Sequence, residues 1–268
     1  YTPTHTLSLH DALPISSIEF NHASEKVCES IGLELIEPKG WICCGSTPAH
    51  RADPHASLKF PMENLTLFEK SGFKEVTMPC AACYSRHKAA QHEIRHDKES
   101  KKAMDEELNY EYQDSVYVSS LPEAIHNHIG PERIAEMVTK PLNALHLVSY
   151  YGCLLTRPPE VTGVDNYENP TDMDELMESI GAEVHDWSYK TTCCGAAHSL
   201  TRPDIVLKLS GNIIKHARES GAEAIAVSCP LCHLNLDARQ IQMGFEEPMP
   251  ILYFTQLMSL ALGLPLKA

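Results

Sequence analysis

The amino-acid sequence predicts an α/β fold made of two pseudo-repeated units, each a small set of parallel strands and helices, on three observations. Nine of the ten cysteines fall into two spaced sets of one pattern. In each half, short apolar runs alternate with amphipathic stretches of helical length, the order that pairs strands in parallel. The cysteines follow those apolar runs, at the strand ends where α/β folds place their sites.

In chain order, residues 1–14 come first, and they have no start methionine, no cationic start and no long apolar centre of a signal peptide. They resemble translated sequencing-adapter read-through, so they are set aside as a non-native segment that has replaced the native start, and the fold is expected from residue 15. Residues 27–33 read as the end of an amphipathic helix closed by Gly32, and Leu33-Glu34-Leu35-Ile36 as the strand ahead of Cys43-Cys44-Gly45. Residues 73–78 form the strand ahead of Cys80-Ala81-Ala82-Cys83. Residues 91–112 are charged and predict one solvated helix, and residues 121–142 predict a helical connector bounded by Pro122, Pro131 and Pro141. The division falls at residue 140, giving units 15–140 and 141–268.

The second unit replays the first. Residues 144–150 are a buried-strand run ending at Tyr151-Gly152-Cys153. A helix end at residues 176–181, closed by Gly181, and the strand Ala182-Glu183-Val184 precede Cys193-Cys194-Gly195. The strand 224–228 precedes Cys229-Pro230-Leu231-Cys232. From the glycine of the Cys-Cys-Gly run to the next Cys-x-x-Cys is 35 residues in the first unit and 34 in the second.

Composition narrows the function. A formal net charge of −14 repels phosphate backbones and anionic membrane surfaces, which excludes nucleic acid as an expected partner. The longest apolar stretch, residues 251–264, is shorter than a bilayer span and is interrupted by Thr255 and Gln256, so no membrane span is expected. Cysteine-rich secreted scaffolds are usually small; adjacent cysteine pairs with Cys-x-x-Cys companions in a chain this long fit ligation in a reducing, cytoplasmic compartment better.

The second set offers five thiolates, Cys153, Cys193, Cys194, Cys229 and Cys232, one more than a structural zinc site closes with. The first offers four, Cys43, Cys44, Cys80 and Cys83. Such soft ligands suit iron–sulfur clusters or zinc, and spacing alone leaves zinc and free thiols open beside the cluster. Cys229-Pro230-Leu231-Cys232 is read against a thioredoxin-like dithiol because of its distant companions. Cys28 lacks a companion at ligand spacing and reads as a buried structural thiol. His198 stands four residues beyond Cys194 and is a candidate proton donor, with a plain hydrogen-bonding role as the alternative; His233 is a weaker candidate. Tyr150 and Tyr151 are expected to pack against the cysteine loop. Lacking a Gly-x-Gly-x-x-Gly fingerprint and a ferredoxin motif, the chain must take electrons from a partner if it does redox chemistry.

With Tyr150-Tyr151-Gly152-Cys153, Arg157-Pro158-Pro159 and Ser228-Cys229-Pro230-Leu231-Cys232, the pattern resembles the CCG domain of the heterodisulfide reductase B-subunit family. The same domain occurs in related subunits of thiol:fumarate reductase, glycolate oxidase and anaerobic glycerol-phosphate dehydrogenase. The resemblance covers nearly everything from residue 15 onward. It implies two tandem CCG domains, each holding a noncubane [4Fe–4S] cluster: one on Cys153, Cys193, Cys194, Cys229 and Cys232, the other on Cys43, Cys44, Cys80 and Cys83. The first unit departs from the pattern because its leading cysteine would fall near Asp11, inside the segment set aside, so its cluster is expected to be incomplete in this chain.

The resemblance also implies an activity. Two clusters facing each other across a cleft would each take one sulfur as a disulfide, such as the coenzyme M–coenzyme B heterodisulfide, is reduced to two thiols. Electrons would come from a small ferredoxin-like iron–sulfur partner, itself fed by a flavin subunit. The competing readings are an electron-transfer or membrane-docking subunit of a respiratory dehydrogenase, and a zinc-stabilised scaffold.

Overall fold

A computed structural model describes residues 6–9, 17–46 and 52–265 of the chain. The first half runs β1 (Thr6–Leu9), α1 (Ile18–Ile31), β2 (Glu34–Ile36), α2 (Pro54–Lys70), β3 (Glu75–Met78), α3 (Ala81–His96), α4 (Lys98–Glu107), β4 (Tyr117–Ser120), α5 (Leu121–His128) and α6 (Pro131–Met137). The second half runs β5 (His146–Tyr150), α7 (Pro159–Thr162), α8 (Asp172–Ser179), β6 (Glu183–Val184), a 3₁₀ turn (Ala196–His198), α9 (Pro203–Glu219), β7 (Ala224–Val227), α10 (Pro230–Asp237), β8 (Ile251–Tyr253) and α11 (Phe254–Ala261).

Each half builds its own four-stranded sheet, in the orders β2-β1-β3-β4 and β6-β5-β7-β8, and every pairing is parallel. The strand permutation is the same in both, so the repeat seen in the cysteines is a repeat of topology. The chain steps from β1 out to β2 and then returns past β1 to β3, and β5, β6 and β7 do likewise. The winding reverses between β1 and β3 and between β5 and β7, and in such sheets ligands bind at the carboxyl ends of those strands. β7, Ala-Ile-Ala-Val, is buried along its whole length, as an inner parallel strand covered on both faces must be.

Three expectations are corrected. The stretch 1–14, set aside as foreign, contributes a strand all the same: Thr6–Leu9 pairs with β2 on one side and β3 on the other. Ladder pairing uses the backbone, so four extended residues suffice to fill that place. The rest of residues 1–14 lies outside the described residues. Second, residues 91–112 are not one helix. α3 begins at Ala81, and Asp97 is extended (φ −120°, ψ 105°) with its side chain accepting from Glu99 N at 2.9 Å, which ends α3 and caps α4. Third, the connector 121–142 is two short helices, with Pro122 and Pro131 in their first turns, where a missing N–H costs nothing.

The halves exchange helices. α1 of the first half packs on α11 of the second, where the Phe20 and Tyr253 rings stack at 4.3 Å between centroids and Ser24 Oγ lies 3.4 Å from Thr255 Oγ1. Reciprocally, α8 packs on α5, with His126 Nε2 2.8 Å from Glu175 Oε2. Buried side chains from both halves form one continuous apolar cluster. Among the described residues, no helix is long and apolar enough to cross a membrane.

Candidate metal centre

The two Cys-Cys pairs lie in the turns that follow the edge strands β2 and β6. In each pair the first cysteine is exposed, Cys43 and Cys193, and the second buried, Cys44 and Cys194. The glycine after each pair has positive φ, 73° at Gly45 and 82° at Gly195. That turn brings the Gly195 N–H onto Cys193 Sγ at 3.3 Å, and the Gly45 N–H donates to Cys43 in the same way. A Cβ at Gly195 would stand 3.3 Å from the Val206 Cα of α9, so both the backbone angle and the close helix favour a residue without one.

The Cys-x-x-Cys pairs open helices. Cys80 and Cys229 are the N-cap residues of α3 and α10, both extended, and Cys83 and Cys232 lie one turn further on. The N–H groups of Cys83 and Ala82 donate to Cys80, where the positive end of a helix favours a thiolate. The inner cysteine of each helix meets the buried cysteine of its pair, Cys44 Sγ to Cys83 Sγ at 3.1 Å and Cys194 Sγ to Cys232 Sγ at 3.4 Å. Cys153 follows β5 and hydrogen-bonds to Cys193. The fold therefore gathers Cys43, Cys44, Cys80 and Cys83 in one place and Cys153, Cys193, Cys194, Cys229 and Cys232 in another. Both lie at strand carboxyl ends, beside the winding reversals. Position 11 lies outside the described residues.

A single tetrahedral zinc ion holds its sulfurs within about 4 Å of one another. Among the described residues, no three of these sulfurs form so compact a group, and sets of four and five soft thiolates suit iron–sulfur ligation. The backbone also comes close. Gly152 has φ +69°, and a Cβ there would stand 3.2 Å from Cys232 Sγ.

The thiols hydrogen-bond to one another. A hydrogen bond from Cys43, then one from Cys83, holds Cys44 well below the ordinary thiol range, while Cys43, as donor, is pushed up. The hydrogen bond from Cys153 is the main cause that lowers Cys193 to about 6; burial opposes it, and the Gly195 N–H and the His198 imidazole assist. Cys194 is lowered by its bond from Cys232, with help from the Asn235 amide 3.8 Å away. Sulfurs whose neighbours favour the thiolate are ready ligands for a soft metal.

His198 sits in the 3₁₀ turn beside Cys193, half-buried. His233 Nε2 lies 3.0 Å from Ile251 O and its ring stacks on Tyr253, so it joins strand and helix. Tyr150 donates to Thr192 O at 2.6 Å, bracing the loop before Cys193. Cys28 is wholly buried on α1, where burial pushes its thiol up to about 12.

Several residues of the site went unread in the sequence. Lys190 Nζ lies 3.0 Å from Asp174 Oδ1 and 2.7 Å from Asn169 Oδ1, and its carbonyl accepts from Tyr151 N and Gly152 N at 3.0 and 3.2 Å. Tyr151 donates to Asp174 Oδ2 at 2.6 Å, so this buried ion pair ties the Cys153 loop to the Cys193 loop. Asn64 plays that part in the first half: it accepts from Ile42 N and donates to Ile42 O, both at 2.8 Å, just ahead of Cys43. His87 accompanies it, with Nδ1 2.7 Å from Cys83 O. The available signal was an amide between Met62 and Leu65 on the apolar face of a helix.

A cavity of about 330 Å³ opens over the second cysteine set. Its far wall belongs to the first half: Ser46, Ala81, Ala82 and Arg86. Arg86 is partly buried on α3 and, among the described residues, has no carboxylate partner, with Ser85 Oγ 3.5 Å away. Burial lowers its pKa and the charge on Cys44 opposes that, yet a guanidinium stays protonated throughout.

Among known proteins, the family described as "CCG: Cysteine-rich domain" is matched over residues 9–86 and 147–237. The chain is 31% identical over 260 residues to the "8-methylmenaquinol:fumarate reductase membrane anchor subunit" of Wolinella succinogenes, covering 94% of this chain and 89% of that one. It is 28% identical to the B subunit of the ferredoxin/F(420)H(2)-dependent CoB-CoM heterodisulfide reductase of Methanosarcina acetivorans, covering 89% and 82%. A solved structure of a hypothetical protein from Helicobacter pylori superposes with a TM-score of 0.76 at 13% identity, which bears on the fold alone; it covers 99% of this chain, which spans 50% of that one.

Proposed function

The chain belongs to the cysteine-rich CCG-domain family, and from that premise we propose that it is the disulfide-reducing iron–sulfur subunit of a heterodisulfide-reductase-type complex. Cys153, Cys193, Cys194, Cys229 and Cys232 would hold one [4Fe–4S] cluster of the noncubane kind, and Cys43, Cys44, Cys80 and Cys83 a second. When bound, such clusters supply electrons one at a time and Lewis-acidic iron next to sulfur. The reaction takes a disulfide, two electrons and two protons to two thiols. Two cysteine sets, one lining a cavity and the other carried by the half that closes it, would match that two-electron count.

The observation that carries this reading is the cavity whose one wall is the five-cysteine set and whose other wall is α3, the helix that starts with Cys80 and Cys83. A small disulfide would enter there. Arg86 supplies a fixed cation for an anionic group on the substrate. His198, next to Cys193, would be the proton donor to a departing thiolate. Electrons are assigned to a small ferredoxin-like iron–sulfur partner, fed in turn by a flavin subunit, in the cytoplasm.

The test is electron paramagnetic resonance on the protein purified anaerobically with its partner, reduced, and mixed with the coenzyme M–coenzyme B heterodisulfide. A paramagnetic signal that appears only with the disulfide, together with thiol release, is expected. Intact clusters with no disulfide-dependent signal and no thiol would overturn the proposal. A second reading, an electron-relay or membrane-docking role, is favoured by the similarity to a protein named as a membrane anchor subunit. That reading predicts clusters that pass electrons onward without any response to disulfides.

A further inference from the structure

We propose that the second sheet carries, at the end away from the cysteines, a site for a single divalent ion of the zinc class, held by His146, Glu183 and His185. The local structure brings these three together by strand geometry. His146 opens β5 and is paired in register with Glu183 on β6. His185 lies two residues beyond Glu183, so by the two-residue period of extended chain it returns to the same face, and its N–H donates to Leu147 O at 2.8 Å. His146 and Tyr150 are the two ends of β5, about 13 Å apart along the strand, so this site stands well apart from the cysteine loops.

The ligand atoms converge. His146 Nδ1 lies 3.1 Å from His185 Nε2, and each is 3.5 Å from Glu183 Oε1. A triangle with those sides has its centre about 2 Å from each corner, the length of a zinc bond to imidazole nitrogen or carboxylate oxygen. It is also, among the described residues, the one group of three or more such ligand atoms within 4.8 Å of one another.

The protonation pattern fits as well. His185 Nδ1 lies 2.6 Å from Ser220 O, and a carbonyl can only accept, so the proton sits on Nδ1 and the lone pair on Nε2 points at the triangle. Backbone carbonyls orient metal-bound histidines in this way. Glu223 adds negative charge nearby, its carboxylate 3.5 Å from His146 N. Glu183 is 65% exposed and His146 37%, so an ion can enter from solvent and keep a fourth position for water. Because β6 is two residues long, an ion bridging it to β5 would brace the weakest pairing in that sheet.

The inference is independent of the proposed disulfide chemistry, and its test separates the two. The anaerobically purified full chain is titrated with Co²⁺ as a spectroscopic probe and then with Zn²⁺, following bound zinc and iron by elemental analysis. One ion per chain is expected, with cobalt bands of nitrogen and oxygen coordination, no thiolate charge-transfer band and no loss of iron. His146→Ala with His185→Ala should abolish that binding. Glu183→Gln, an exposed change that leaves the fold alone, should weaken it by about tenfold or more, on the scale of losing a partner of a metal ligand. No ion bound, equal binding by the double variant with unchanged circular dichroism, or a thiolate charge-transfer spectrum would each overturn the proposal.

Discussion

Gly152 shows at the residue scale how little room the second cysteine site leaves. Its φ of +69° costs an L side chain about 1–2 kcal/mol, and a Cβ would stand 3.2 Å from Cys232 Sγ. Gly152→Ala should therefore lower the iron bound by the second set while far-ultraviolet circular dichroism stays native; iron content equal to that of the parent would refute the crowding argument. Arg86 is a different case, a cation set into the cavity wall without a carboxylate among the described residues. A charge-assisted hydrogen bond contributes about 1.5–3 kcal/mol. Arg86→Ala should raise KM for an anionic disulfide by about ten- to a hundredfold with little change in kcat, and Arg86→Lys should recover part of it. Steady-state kinetics with a neutral disulfide, whose KM should barely move, is the control. The nine cysteines could be grouped from spacing alone because ligand motifs are local in sequence. Arg86, Lys190 and Asn64 could not, since each acts on a segment distant from it in the chain.

At the scale of single elements, β2, β3, β5 and β7 were legible because each is a short, mainly apolar run with a glycine, proline or cysteine within two residues of its end. The charged region 91–112 was not. Its composition is uniformly helical, and the break at Asp97 depends on one side chain turning back to cap the next helix. Thr6–Leu9 was missed for another reason: strand pairing needs backbone groups, on which composition says little. Glu69, near the end of α2, shows an element junction held by charge. It accepts from Gln113 N and Ser115 N at 2.8 Å and from Ser115 Oγ at 2.7 Å, just ahead of β4. Burial alone would push this carboxyl up, but the donors outweigh it and hold it below its ordinary value. A depressed carboxyl stabilises the fold above its unfolded pKa, and that contribution is lost as pH falls through the folded pKa. Urea unfolding from about pH 7 down to about pH 3 should show the parent losing more stability than Glu69→Gln; parallel losses would contradict the assignment.

For the whole molecule, the exchange of α1 and α8 between halves makes the two repeats one cooperative body. Phe20 lies at that junction, stacked on Tyr253 and meeting Phe254 edge-on. Removing a buried phenylalanine costs about 3–5 kcal/mol. Phe20→Ala should lower Tm by about 10 °C in a single calorimetric transition, given roughly 2–4 °C per kcal/mol at this size; a new, separate transition for one half would show that the halves fold independently. By itself the sequence determined the α/β class, the duplication and which cysteines would meet, because periodicity and ligand spacing are written locally. Only the tertiary structure decided that the two units share a core, that a wall of the first half closes a cavity over the second set, and that three ligands gather at the far end of β5. Those features depend on strand register and on helices crossing between halves, contacts between residues far apart in the chain that leave no periodic trace along it.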